Sequence, residues 1–186
     1  LFNTLATIRR LYQTDLARGR STLSGFIHYL KSALPEMRAS ETTLGREVDL
    51  IAAYLDVLRV RMGNRLEFAI DVAPPLRDLL IPPLSLATLV ENSIKHGLGE
   101  LPEGGKVSVH AWIDGNVLLV RVTDTGVGIR ASGGTGTGLA NLRVRLRGLY
   151  GDAGQLVLAP NDPRGLAATL SIPVHGTHPA RSRGLE

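Results

Sequence analysis

A glycine-rich segment, residues 131–142, has a composition that suggests a ligand-binding role. It reads ASGGTGTGLANL and holds four glycines between Gly133 and Gly138. Backbone N–H groups at the start of a helix, with the helix dipole behind them, favour a bound phosphate. The same composition is also typical of a flexible linker. If the segment binds a ligand, its candidate residues are Gly134, Thr135, Gly136, Thr137, Gly138 and Leu139.

Two common phosphate-binding fingerprints are absent from this segment. The mononucleotide P-loop requires Gly-Lys-Ser/Thr after its glycines, and the dinucleotide fold requires a βαβ unit with an acidic residue. We expect residues 129 to about 134 to form a short lid that is mobile until phosphate binds. The reason is that no bulky side chain lies between Ser132 and Thr137.

A second polar group lies near the end of a predicted helix, residues 83–97. Asn92, Lys95 and His96 stand at positions i, i+3 and i+4, which share one face of an α-helix. An asparagine oxygen suits a hard cation, a lysine ammonium suits phosphate, and the histidine adds a donor. The alternative interpretation is an ordinary solvated polar face.

A third group places a carboxylate at the end of an apolar strand. Asp124 follows Val122 and Thr123, and Gly126 and Gly128 come directly after it. The carboxylate can accept hydrogen bonds, and the glycines allow a ligand to approach the backbone closely. A plain turn is the alternative for this string.

Two long amphipathic helices precede these groups. Residues 1–34 carry apolar side chains at spacings of three and four, and residues 44–62 repeat the pattern. Together they predict an antiparallel hairpin, which buries only one seam by itself. We expect a second copy of the chain to cover the remaining apolar surface, the alternative being packing into an ordinary core.

From residue 66 the apolar period changes to two, which indicates strands. A mixed sheet with helices on one face is the arrangement that this order of elements favours, so the fold class is α+β, a helical hairpin followed by an α/β sandwich. The predicted strands are residues 66–72, 107–113, 117–122, 155–159 and 166–172, and the predicted helices among them are residues 83–97 and 139–150.

Composition narrows the class of protein. The chain has 186 residues, no cysteine and a formal net charge of +4. Disulfides and thiolate metal sites are therefore excluded, and the charge is too small and too dispersed to indicate nucleic-acid binding. No apolar run reaches the roughly 18 residues that a membrane-spanning helix needs. We expect any membrane contact to come from segments upstream of Leu1.

In this order and spacing, the three polar groups resemble the ATP-binding domain shared by gyrase, the heat-shock chaperone, mismatch-repair proteins and histidine kinases. Further segments are similar to the LytS-type sensor histidine kinases and extend the resemblance over residues 1 to about 174. These segments are residues 1–5, 54–57, 61–66, 89–97 and 138–151.

The resemblance implies ATP and Mg²⁺ as ligands and a role for each candidate residue. Asn92 would hold Mg²⁺, while Lys95 and His96 would face the phosphates. Asp124 would accept a hydrogen bond from the adenine amino group. The implied nucleotide-binding set is Asn92, Lys95, His96, Asp124, Gly126, Gly128, Gly134, Thr135, Gly136, Thr137, Gly138 and Leu139.

Other positions differ from the family or carry a weaker implication. The phosphorylated histidine of the family would lie just before Leu1, and His28 lacks the expected flanking residues, so no catalytic residue is assigned within this chain. Thr88 stands where hydrolysing relatives carry a glutamate base, which favours transfer to a protein over hydrolysis. Arg143 and Arg145 match basic family positions near the phosphates, or else form a solvated basic face.

The resemblance therefore predicts the kinase core of a two-component sensor. It implies a dimerisation hairpin over residues 1–65, an ATP-binding domain over 66–174 and a flexible tail over 175–186. The implied partners are a second copy of the chain and a response regulator, and the implied location is the cytoplasmic side of a membrane-anchored bacterial sensor. The alternatives are a same-fold ATPase or protein-serine kinase, or a catalytically silent dimeric signalling module.

Overall fold

A computed structural model describes residues 2–36, 41–99, 101–128 and 137–174. Within these ranges the chain forms helices α1 to α5 and strands β1 to β7. The helices are α1 Phe2–Thr14, α2 Leu16–Glu36, α3 Leu44–Met62, α4 Ser85–Asn92 and α5 Thr137–Tyr150. The strands are β1 Thr42–Thr43, β2 Leu66–Val72, β3 Leu80–Ile81, β4 Gly105–Asp114, β5 Val117–Asp124, β6 Gln155–Pro160 and β7 Leu166–Pro173.

The main sheet has five strands in the order β2-β4-β5-β7-β6. Strands β2 and β4 are parallel, and the other neighbours are antiparallel, so the sheet is mixed as predicted. Alternate residues of the central strands, such as Val107, Val120 and Leu170, are buried against helices α3, α4 and α5. Polar residues such as His110 and Arg121 lie on the other, exposed face. The predicted α+β sandwich is confirmed.

The prediction of one continuous helix over residues 1–34 is wrong. Helix α1 ends at Thr14, and α2 begins at Leu16. The Asp15 carboxylate accepts a hydrogen bond from the Arg18 N–H at 3.0 Å, which caps the start of α2. Gly19 is buried, and a Cβ there would lie 3.0 Å from the Tyr12 backbone nitrogen. The close approach shows that α2 turns back against α1, so the first predicted helix is itself folded in two.

Helix α3 packs against α2, as the predicted hairpin requires, and its other side packs into the core of the sheet. Leu44, Ile51, Leu55 and Leu58 are almost fully buried in the same core as the strands. A smaller cluster of Ile8, Phe26 and Val57 attaches α1 and α2 to the opposite side of α3. A domain boundary at residue 65 would cut through the larger core, and the predicted division of the chain into domains remains a prediction.

The helix predicted over residues 83–97 is present in two parts. The α-helix α4 ends at Asn92, and a π-helical segment, Ser93–Leu98, continues from it. The sequence pattern did not predict the pairing of the two-residue strands β1 and β3, which lie before α3 and α4. None of the described helices has the length and hydropathy that crossing a bilayer requires.

Candidate functional site

Asp124, the last residue of β5, holds an almost fully buried carboxylate, with only 1% of the residue exposed. Its Oδ1 accepts hydrogen bonds from the Gly126 N–H at 2.9 Å and the Leu166 N–H at 3.3 Å. Its Oδ2 is buried and has no hydrogen-bond partner among the described residues. A buried carboxylate oxygen without a donor is costly, so it fits a ligand that brings an N–H group to it.

The loop after Asp124 packs directly against the π-helical segment. A Cβ added at Gly97 would lie 2.8 Å from the Asp124 Cγ, and one added at Gly126 would lie 2.3 Å from the Gly97 carbonyl carbon. The Val127 N–H donates to the Gly97 carbonyl at 3.1 Å. Contacts this close exclude a side chain at either glycine. They also bring the second and third predicted groups together at one place.

Asn92, Lys95 and His96 lie in the part of this element where the helix type changes. Asn92 ends α4 and is half-buried, whereas Lys95 and His96 belong to the π-helical segment and are exposed. A π turn has a different angular step from an α turn, so the predicted i, i+3, i+4 face does not apply in the form expected. π-helical segments occur frequently at functional sites, which is consistent with a ligand-binding role here.

The glycine-rich group is described only at its end. Gly134, Thr135 and Gly136, together with the predicted lid, lie outside the described residues, as does the side chain of Thr137. Gly138 and Leu139 lie in the first turn of α5, which begins at Thr137 and therefore slightly earlier than predicted. A Cβ at Gly138 would lie 3.3 Å from the Thr88 Cγ2 atom, so the start of α5 packs against α4.

Two family descriptions match the sequence. Residues 1–66 match the family described as histidine kinase. Residues 84–176, half of the chain, match the family described as histidine kinase-, DNA gyrase B- and HSP90-like ATPase. The chain belongs to the histidine kinase family. The matched ATPase region contains α4, α5 and strands β4 to β7.

Curated relatives confirm the resemblance to LytS-type sensor histidine kinases. This histidine kinase chain is 32% identical to a sensor protein LytS of Staphylococcus epidermidis over 83% of its own length and 28% of the relative's. It is 29% identical to the LytS protein of Bacillus subtilis over 94% of its length and 32% of the relative's. The chain therefore spans about a third of the length of these curated relatives. The histidine kinase domain of the blue-light activated kinase EL346 from Erythrobacter litoralis matches 91% of this chain and 85% of its own, with 17% identity and a TM-score of 0.55. That similarity shows the fold.

The two arginines of α5 named above have different surroundings. The Arg145 guanidinium donates a hydrogen bond to the Pro83 carbonyl at the start of α4. Arg143 lines a groove between α5 and β6 together with Arg147 and Gln155. Arg145 therefore ties α5 to α4, a contact that neither of the two sequence-based alternatives anticipated.

The site also adjoins the helical hairpin through two tyrosines. The rings of Tyr29 on α2 and Tyr54 on α3 lie 5.3 Å apart. Burial raises the pKa of Tyr54 above its ordinary value, and the negative charge of Glu91 raises this pKa further. Glu91 precedes Asn92 on α4, so helices α2, α3 and α4 meet beside the candidate metal ligand.

Sequence reasoning missed several residues that shape the site. Asn161 Nδ2 donates to the Asp124 carbonyl at 2.9 Å, and the Leu166 N–H donates to the Asp124 carboxylate. Asn161 lies in the turn between β6 and β7, and Leu166 begins β7, so both are about 40 residues from Asp124 in sequence. The Asn-Asp-Pro-Arg-Gly string at residues 161–165 is typical of a turn, but no local pattern connects that turn to Asp124.

Proposed function

We propose that this chain is the kinase core of a two-component sensor and binds ATP together with Mg²⁺. The observation that carries the proposal is the buried Asp124 Oδ2 atom beside the Gly97–Gly126 contact, for which the described part of the chain offers no donor. The adenine amino group supplies a donor of the kind that this atom requires. In the full-length histidine kinase ShkA, which has 20% identity to this chain and a TM-score of 0.53, a structure contains AMPPNP, an ATP analogue.

The remaining roles follow the resemblance. Asn92 would hold Mg²⁺ through its side-chain oxygen, and Lys95 and His96, both exposed on the π-helical segment, would face the phosphates. The glycines of residues 134–138 would follow the phosphate chain with their backbone N–H groups. When bound, Mg²⁺ would neutralise part of the negative charge of the phosphates, and the positive charge of Lys95 would neutralise a further part.

The reaction that we propose is phosphoryl transfer to a histidine. The bond between the γ-phosphorus and its bridging oxygen breaks, a bond from phosphorus to an imidazole nitrogen forms, and ADP leaves. A response-regulator aspartate then takes the phosphoryl group. Thr88 supports transfer over hydrolysis, because its hydroxyl donates to the Leu84 carbonyl at 2.6 Å and a threonine offers no general base.

We further propose that the hairpin α1–α2 mediates homodimerisation and that the chain is the cytoplasmic part of a membrane-anchored sensor. Several large apolar side chains of the hairpin are exposed in the single chain: Leu5, Tyr12, Leu16 and Ile27. A second copy would cover this surface. The membrane-anchored location rests on the similarity to LytS sensor proteins, of which the chain spans only about a third.

Calorimetric titration of the chain with ADP and with AMPPNP, each in Mg²⁺ and in EDTA, tests the proposal. We expect binding that strengthens in Mg²⁺. Absence of any nucleotide binding would favour the alternative, a silent dimeric module, provided that the chain is still dimeric by light scattering. Incubation with γ-labelled ATP should leave His28 unlabelled, and label on His28 would refute our account of the acceptor.

A further inference from the structure

Glu47 is a fully buried carboxylate that the proposed reaction does not use. It lies on α3 with 0% of the residue exposed. Its Oε1 accepts a hydrogen bond from the Leu84 N–H at 2.5 Å, and its Oε2 accepts one from the Leu86 N–H at 2.9 Å. Helix α4 begins at Ser85, so both donors belong to the first residues around its N-terminus. The carboxylate therefore caps α4 from a different helix, where it also meets the positive end of the helix dipole.

The start of α4 needs this external anchor because its own residues do not cap it. Leu84, the N-cap residue, has φ 59° and ψ 21°, a left-handed conformation that a leucine rarely adopts, and it makes no side-chain cap. A strained residue persists only where its surroundings hold it in place. Two charge-assisted hydrogen bonds from Glu47 provide that restraint.

The anchor lies at one end of α4, and Asn92 lies at the other. The helix has 8 residues, so the two ends are separated by about 12 Å of rigid backbone. The Arg145 guanidinium binds the Pro83 carbonyl just before the anchor, so α5 is held at the same point. A shift of the first residues of α4 would therefore move both Asn92 and α5, the helix that follows the glycine-rich segment.

We propose that Glu47 is a positioning residue for the metal and phosphate half of the nucleotide site. This inference rests on the proposed function. The hydrogen bonds that hold the Asp124 carboxylate come from Gly126 and Leu166 and not from α4. Its contact with the π-helical segment is at Gly97, five residues beyond Asn92 and far from the Glu47 anchor. Loss of Glu47 should therefore reduce the contribution of Mg²⁺ to nucleotide affinity and leave the Mg²⁺-free affinity nearly intact.

The test is the variant Glu47→Gln, with ADP titrated calorimetrically in Mg²⁺ and in EDTA. A glutamine keeps the shape but has one acceptor oxygen, so one of the two backbone donors loses its partner. We expect the gain in affinity from Mg²⁺ to fall about tenfold while the affinity in EDTA changes less than about twofold. Glu67→Gln, at an exposed position on β2, is the matched control and should change neither value.

A purely structural role predicts a different outcome. If Glu47 only stabilised the fold, Mg²⁺ would raise the ADP affinity of the folded variant by the same factor as in the wild type. The affinities in Mg²⁺ and in EDTA would then either stay unchanged or fall together. Either result overturns the inference while leaving the proposed function standing. A wild-type chain with no Mg²⁺ gain would instead refute the proposed function, and this inference with it.

The variant Glu47→Asp covers the case in which Glu47→Gln does not fold. It keeps the charge but is shorter by one methylene, so the bonds to the α4 backbone lengthen without leaving a buried amide in their place. We expect the same selective loss of the Mg²⁺ gain, about threefold in size. An unchanged Mg²⁺ gain in a folded Glu47→Asp chain, checked by circular dichroism, contradicts the proposal.

Discussion

Replacing Asp124 by asparagine should separate nucleotide recognition from fold stability. An asparagine whose carbonyl takes the place of Oδ1 keeps the hydrogen bonds from Gly126 and Leu166. Its NH₂ group then occupies the position of Oδ2, which is buried and has no donor among the residues that the structure describes. In the complex this NH₂ would meet the adenine amino group, so two donors would face each other.

The expected magnitudes differ for the two properties. Each retained hydrogen bond now has a neutral acceptor and weakens by about 1 kcal/mol, but removal of a buried charge offsets much of that loss. We therefore expect the free energy of unfolding to change by no more than about 1 kcal/mol. Binding loses a charge-assisted hydrogen bond and gains an unpaired buried donor, together about 3 kcal/mol or more, which is at least a hundredfold in affinity.

Calorimetric titration with ADP in Mg²⁺ and urea unfolding of the free protein measure the two quantities. Asp114→Asn, at the exposed end of β4, is the control and should behave like the wild type in both assays. The reasoning would be refuted by a folded Asp124→Asn chain that binds ADP within about threefold of the wild type. A loss of stability larger than the loss of binding free energy would refute it equally.

Two further predictions concern the packing and the ionisation of single residues. Gly97→Ala should abolish ADP binding and cost about 1–3 kcal/mol of unfolding free energy, because the added methyl would lie 2.8 Å from the Asp124 carboxylate. Gly148→Ala on α5, with no atom within 4 Å of the new methyl, should raise the free energy of unfolding by about 0.5–1 kcal/mol and leave ADP binding unchanged. Equal losses of ADP binding and stability in both variants would contradict the role of the Gly97 contact. Burial raises the pKa of Tyr150 from 10.0 to about 12, and the negative charge of Glu41 contributes to this rise. Because the unfolded chain loses the Tyr150 proton at lower pH than the folded chain, the free energy of unfolding should fall as pH rises from about 10 to 12. Tyr150→Phe should flatten this part of the pH profile in urea unfolding. A profile that Tyr150→Phe does not alter would disprove the assignment.

Much of the fold was predictable from local pattern. Alternation of apolar residues located the five long strands to within two residues of their observed bounds. The helical period located α3, α4 and α5 because each buries one continuous stripe against the sheet. The helical period did not predict the turn at Asp15. The apolar spacing continues across this turn, because it depends on which side chains are buried and not on where the chain reverses direction.

The candidate site was predictable only as separate groups of residues. Asp124 was recognisable because a carboxylate at a strand end followed by Gly126 is a local pattern. The contact between this loop and Gly97, and the hydrogen bond from Asn161, depend on how the sheet brings distant segments together. No spacing rule encodes such contacts. The assigned ligand roles remain predictions.

The sequence alone determined the residue types that a nucleotide site needs, the mixed sheet and the family resemblance, because periodicity and short motifs are properties of neighbouring residues. Only the tertiary structure decided that α2 turns back on α1, that α3 belongs to the core of the sheet, and that its Glu47 caps α4. These features depend on the burial of the Glu47 carboxylate, on the packing of α3 side chains into the sheet, and on the close approach of α1 and α2 at Gly19. All three arise from elements packed against each other, which a linear pattern does not contain.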